Sequence, residues 1–138
     1  MNANPIAYLV GYGVAAIVML ALDATWLTLT ANSFYRRLIG DIMLDGFRPA
    51  PAVAFYLLYL CGAVIFAVHP AFATGKWTTA AAFGALFGLI AYATYDLTNQ
   101  ATLKSWSTLV TIVDMAWGCV LTAIVATLAY LAAAPWAR

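Results

Sequence analysis

The chain has no glutamate: its five acids are all aspartate, and charged residues of both signs make up 8% of 138 positions. A soluble domain has about a quarter of its residues charged, so this sequence cannot cover a globule with polar surface. That excludes a soluble enzyme and a disordered linker. The net charge is +1 with no basic patch, which excludes a nucleic-acid partner. With His69 the sole histidine, a haem held by two histidines is excluded, and a carboxylate–histidine di-iron site lacks ligands. His69 reads as a helix-end residue at the interface. Cys61 and Cys119 do not form a Cys-x-x-Cys. They read as small packing residues at mid-span, with a redox pair as the alternative. There is no glycine-rich phosphate loop, no activated-serine elbow and no His-Glu-x-x-His. Aspartates and Asn99 could offer oxygens to a hard cation, but no ligand spacing supports one. No metal and no cofactor is assigned.

Apolar residues are abundant instead: 66% of the chain is hydrophobic and the mean hydropathy is +0.93. A membrane-crossing helix needs about 20 mostly apolar residues, and four segments qualify, at about 6–30, 52–68, 78–99 and 107–133. The fold class is an all-α membrane protein, one membrane-embedded domain over 1–138. Asn4 can cap the first span and Pro5 suits its first turn. The second span follows Pro49 and Pro51 and is expected to stop before His69-Pro70. Trp77, Trp106 and Trp136 fall at span ends, where indole rings prefer the interface. The first span lacks the basic start and the cleavage zone of a signal peptide, and no lipidation pattern is evident.

In the first loop Phe34, Tyr35, Leu38, Ile39 and Ile42 recur at helical spacing opposite Arg36 and Arg37. That pattern predicts a short interfacial helix, completing a four-transmembrane-helix bundle. The third loop is short, so spans three and four form a tight antiparallel hairpin. Loops one and three hold Arg36, Arg37, Arg48 and Lys104, against Lys76 and Arg138 on the other side. The excess places loops one and three in the cytoplasm. Gly84-x-x-x-Gly88 is a close-packing motif, expected to act inside the bundle rather than in a dimer.

Three of the five aspartates lie in spans: Asp23, Asp96 and Asp114. Spans one and three run one way and span four runs back, so all three fall toward the side of loops one and three. At 1.5 Å per residue Asp23 and Asp114 should lie roughly 10 Å below that interface, with Asp96 shallower. Each has a hydrogen-bonding residue on its own helix face one turn on: Trp26, Asn99 and Trp117 respectively. Tyr92 and Tyr95 extend the polar face of span three. Charged residues in a span cost several kcal/mol and face the interior or a water-filled cavity, so three on one side predict a shared polar pocket. Carboxylates crowded out of water cannot all stay ionised: at least one of Asp23 and Asp114 is expected to carry a proton, with Lys104 or Arg36 neutralising another. Asp41 and Asp45 read as solvated loop charges.

The strings Tyr92-Ala-Thr-Tyr95-Asp96-Leu-Thr-Asn99, Ala101-Thr-Leu-Lys104 and Asp114-Met-Ala-Trp117-Gly118 resemble a family of small bacterial membrane proteins, domain of unknown function 2177. Asp23-x-x-Trp26, Phe34-Tyr35-Arg36 and Phe55-Tyr56-Leu-Leu-Tyr59 resemble it too, so that nearly the whole chain is covered. Gln100 stands where an apolar residue is expected. The resemblance implies four spans and a bacterial inner membrane, and carries no activity.

Three functions fit these residues. In the first, the pocket binds or acts on a lipid-like or small amphiphilic ligand. Asp23, Asp96 and Asp114 are its acid/base candidates, Trp26, Tyr92, Tyr95, Asn99 and Trp117 line it, and Lys104 or Arg36 contacts an anionic head group. The second is a small proton-coupled transporter, a dimer. Against it, the acids lie toward one face and no span carries an internal proline. The third is a non-catalytic subunit or assembly factor of a larger membrane complex. Polarity concentrated in one layer favours the first; purely structural aspartates, gluing helices together, are the plain alternative.

Overall fold

The computed structural model describes residues 3–137, which form four long helices: α1 (Pro5–Ile42), α2 (Pro49–Thr74), α3 (Trp77–Thr102) and α4 (Thr108–Trp136). Each is long and apolar enough to cross a membrane.

The ends follow local chemistry. The Asn4 side chain accepts from the Ile6 N–H at 3.0 Å, and Pro5 opens the first turn of α1. Gly75 ends α2 in the left-handed conformation, at φ 67°, with its N–H on the Ala71 carbonyl. Ser107 caps α4 by accepting from the Val110 N–H.

The segment expected to form a separate helix in the first loop is helical, but it continues α1. The two are joined by a wide π turn at Ala31–Tyr35. Ahead of that turn, Thr25, Thr28 and Thr30 donate their hydroxyls to the carbonyls four residues back, each at 2.7 Å, and Ser33 does the same within it. Such back-bonds bend a helix and keep its carbonyls satisfied where no water is present.

The expected stop at His69-Pro70 does not occur. A second π turn, Val64–Val68, precedes the proline, and the helix runs on to Thr74. Proline cannot donate to the carbonyl four residues back; widening the preceding turn absorbs the misfit. Pro70 is thus an internal proline, contrary to the expectation that no span contains one.

Packing centres on α4, whose buried stripe is the widest, running from Val110 through Leu121 and Val125 to Ala133. Ahead of its π turn α1 buries Ala7, Gly11, Ala15, Met19 and Asp23, and α3 buries Ala80, Gly84, Gly88 and Asp96. Spacing by fours draws one stripe along a helix, and small residues on it let backbones approach closely. A Cβ on Gly84 would lie 2.6 Å from the Thr122 carbonyl oxygen, and one on Gly88 would strike the Gly118 carbonyl. The Gly84/Gly88 motif therefore packs α3 on α4, inside the bundle as expected. Outward positions carry Leu9, Ile17, Leu58, Ile90 and Ile112, the surface a hydrocarbon environment requires.

Candidate functional site

The site is built where the far half of α1, the start of α4 and the late turns of α3 meet. Asp23, Asp96 and Asp114 each come from the buried stripe of their own helix. Asp114 faces both of the others.

The Asp-x-x-Trp pairs of α1 and α4 do not close within their own helices. The two helices run antiparallel, and the indoles of Trp26 and Trp117 stack face to face between them, with ring centroids 4.4 Å apart and planes 8° apart. The two indoles donate to different acceptors, Trp117 across to α1 and Trp26 within α1. Trp117 Nε1–H donates to Asp23 Oδ1 at 3.3 Å. Trp26 Nε1–H donates to the Tyr35 hydroxyl at 3.0 Å, and that hydroxyl donates to Asp114 Oδ1. The Tyr56 hydroxyl of α2 donates to Asp23 Oδ2. Asp23 thus takes its indole donor from α4, and Asp114 takes the Tyr35 hydroxyl of α1, rather than the tryptophan one turn along its own helix.

The three carboxyls differ in consequence. Both oxygens of Asp23 are bonded, so it clasps α1, α2 and α4 together. Asp114 has one oxygen on Tyr35. Asp96 is fully buried, and neither of its oxygens has a hydrogen-bond partner among the described residues. Its polar neighbour is the Asp114 carboxyl. Two carboxyls bond to each other only through a shared proton, the means by which crowded carboxyls avoid double ionisation. Asn99, one turn beyond Asp96, lies beside Tyr95 instead.

The cations expected to neutralise the acids lie elsewhere. Arg36 turns its guanidinium to the Leu44 carbonyl at 3.5 Å, and Lys104 is exposed. Tyr92 lays its ring over Gly118, where a Cβ would strike it, and Tyr95 packs edge-on against Trp106. Tyr59, bonded to the Thr122 hydroxyl at 2.7 Å, supports Tyr92 from below.

Two clefts converge on Asp114. One, of about 290 Å³, is lined by Phe55, Tyr59, Ala91, Tyr92 and Tyr95 besides Asp114. The other, of about 220 Å³, lies against the π turn of α1, between Ala31, Tyr35, Ile39, Tyr95, Trp106 and Asp114. Tyr95 and Asp114 are common to both.

Tyr35 and Tyr56, the donors to two buried carboxylates, were not among the residues expected to line the site, although both lie in the strings that carry the family resemblance. At the opposite end of the bundle, His69 Nδ1 is 2.6 Å from the Tyr8 hydroxyl, within the helix rather than at its end. Cys61 and Cys119 are both free. Asp41 accepts from the Ser105 hydroxyl at 2.8 Å, tying the last turn of α1 to the third loop.

A bundle of four apolar helices with a polar cluster between them defines a multi-pass α-helical membrane protein. The chain belongs to the family described as predicted membrane protein (DUF2177), which it matches over residues 8–131. No curated protein and no solved structure matches it.

Proposed function

We propose that the Asp114 end of the bundle binds a small amphiphilic, lipid-like molecule, with its head group at Asp114 and its apolar part in the adjoining cleft. The observation that carries this is the convergence of two otherwise apolar clefts on one carboxylate. Apolar walls with a few placed polar groups are the usual make-up of a small-molecule site. The larger cleft, at about 290 Å³, falls just below the customary range of roughly 300–1,000 Å³, which suits one chain rather than a whole two-chain lipid. The family resemblance supports a bacterial inner membrane, and the excess of basic residues in loops one and three supports this end toward the cytoplasm. Pro70 interrupts α2 at the end near Tyr8 and His69, away from the acids, so it gives no discontinuous helix at the site of the kind transporters use.

The test is mass spectrometry of small molecules that co-purify with the chain in a neutral detergent. The expected result is an amphiphile near one per protein in the wild type, depleted at least tenfold in Asp114→Asn and in the cleft-filling Ala91→Phe. No stoichiometric compound, or equal amounts in all three, would overturn the proposal.

A further inference from the structure

The geometry points to an organic ammonium, a head group that brings positive charge and N–H donors, as the chemical class this cleft takes; the inference rests on the amphiphile site proposed above. The donors that reach Asp23 and Asp114 are already engaged, while the Tyr92 and Tyr95 hydroxyls also border the larger cleft. The Tyr35 and Tyr56 hydroxyls are committed to Asp114 and Asp23, and the Trp26 and Trp117 N–H groups to Tyr35 and Asp23. What remains unanswered is acceptor capacity: the side of Asp114 that lines the clefts, and behind it Asp96, fully buried with both oxygens unpartnered among the described residues. A phosphate or carboxylate head would bring further negative charge against Asp114, with Asp96 beside it. Among the described residues it would also meet no basic side chain in the lining of either cleft; Arg36 is turned to the Leu44 carbonyl and Lys104 is exposed. This reverses the anionic head group expected from the sequence.

Aromatic rings strengthen the case. Tyr59, Tyr92 and Tyr95 wall the larger cleft beside Asp114, and ring faces attract a cation in a desolvated site. An alkyl ammonium would set its nitrogen against Asp114 and its chain along Phe55 and Ala91. Unlike a hydroxyl head, it would also offset the field of Asp23 and Asp96.

The test uses the full chain in phosphatidylcholine nanodiscs, titrated calorimetrically with decylammonium, decanol and decyl sulfate, subtracting the heats of empty discs. The expected outcome is saturable binding of one decylammonium, at least tenfold tighter than either of the others, and weakened at least tenfold in both Asp114→Asn and Ala91→Phe. If decanol or decyl sulfate binds as tightly as decylammonium and Ala91→Phe abolishes it, the cleft stands and the ammonium assignment falls. Decylammonium binding that survives Asp114→Asn also overturns the assignment. If none of the three saturates, the cleft proposal fails and the assignment with it. Should Asp114→Asn not fold, the comparison of three head groups on the wild-type chain decides alone.

Discussion

Trp26 and Trp117 stack at 4.4 Å between antiparallel helices; Trp117 gives its N–H across to Asp23, and Trp26 gives its own to Tyr35, the donor to Asp114. The stack and the two N–H bonds are separable. An aromatic pair contributes about 0.5–1.5 kcal/mol beyond its buried area. Trp117→Phe should keep most of that and lose the bond to Asp23, while Trp117→Ala should lose both. In thermal unfolding in detergent, the alanine variant is expected to be the less stable by at least about 2 kcal/mol, a large-to-small loss. A double-mutant cycle with Trp26→Ala should return a coupling of about 0.5–1.5 kcal/mol. A coupling near zero would mean that the stack is incidental.

Removing one hydroxyl tests the clasp on each carboxylate. Tyr35→Phe strips Asp114 of its donor and frees the Trp26 N–H; Tyr56→Phe strips one donor from Asp23, which keeps Trp117. Hydrogen bonds inside membrane bundles average about 0.6 kcal/mol, but bonds to charged groups reach about 1.5–3 kcal/mol. The expected loss is therefore about 1–2 kcal/mol for each variant, with Tyr35→Phe the larger because two bonds go. Equal stability of Tyr35→Phe and wild type in a denaturation series would rule out the relay.

How legible these features are in the sequence depends on the kind of signal each leaves. The four helices are plain because hydropathy, Asn4, Pro5, Gly75 and Ser107 all mark them locally. Asp23, Asp96 and Asp114 are plain because an acid in an apolar span is costly and must face inward. Tyr35 is hidden by the helix period. Nine residues at about 100° each put it on the face opposite Trp26, and only the π turn at Ala31–Tyr35 brings the two side chains together. A wide turn has no compositional mark of its own. Tyr56 is hidden for another reason: a tyrosine near a span end is ordinary interfacial composition, and only the tertiary fold shows it aimed at Asp23. The positions of Arg36 and Lys104 depend on the same continuation of α1 and on loop geometry, neither of which periodicity reveals.

The glycines of α3 should be intolerant in a graded way. A Cβ at Gly84 meets backbone and Ala126 Cβ of α4 at 2.6–2.8 Å, and backbone cannot rotate aside as a side chain can. Gly84→Ala and Gly88→Ala should each lower stability by about 1–3 kcal/mol through overpacking, with Gly88→Ala the worse. Gly13, also within a helix, has nothing within 4 Å of its would-be Cβ. Gly13→Ala should be neutral or gain up to about 1 kcal/mol. Loss of stability in Gly13→Ala comparable with that in Gly84→Ala would show that helix flexibility, not packing on α4, is what the glycines supply.

Asp96 offers the sharpest separation between a polar group kept for stability and one that costs stability. It is buried with no donor on either oxygen among the described residues, next to a second carboxyl. An unsatisfied buried polar group costs about 1–3 kcal/mol, and Asn is nearly the same size. In Asp96→Asn the amide NH₂ can donate to Asp114 at all times, doing with a fixed donor what the carboxyl pair does only through a shared proton. The variant should therefore match or exceed the wild type by up to about 2 kcal/mol in thermal unfolding. Asp23→Asn should lose stability, because its two oxygens already serve two donors and an amide nitrogen turns one of those bonds into a clash between donors. The opposite order, with Asp96→Asn the weaker protein, would mean that Asp96 is held by interactions of its charge rather than tolerated in spite of it.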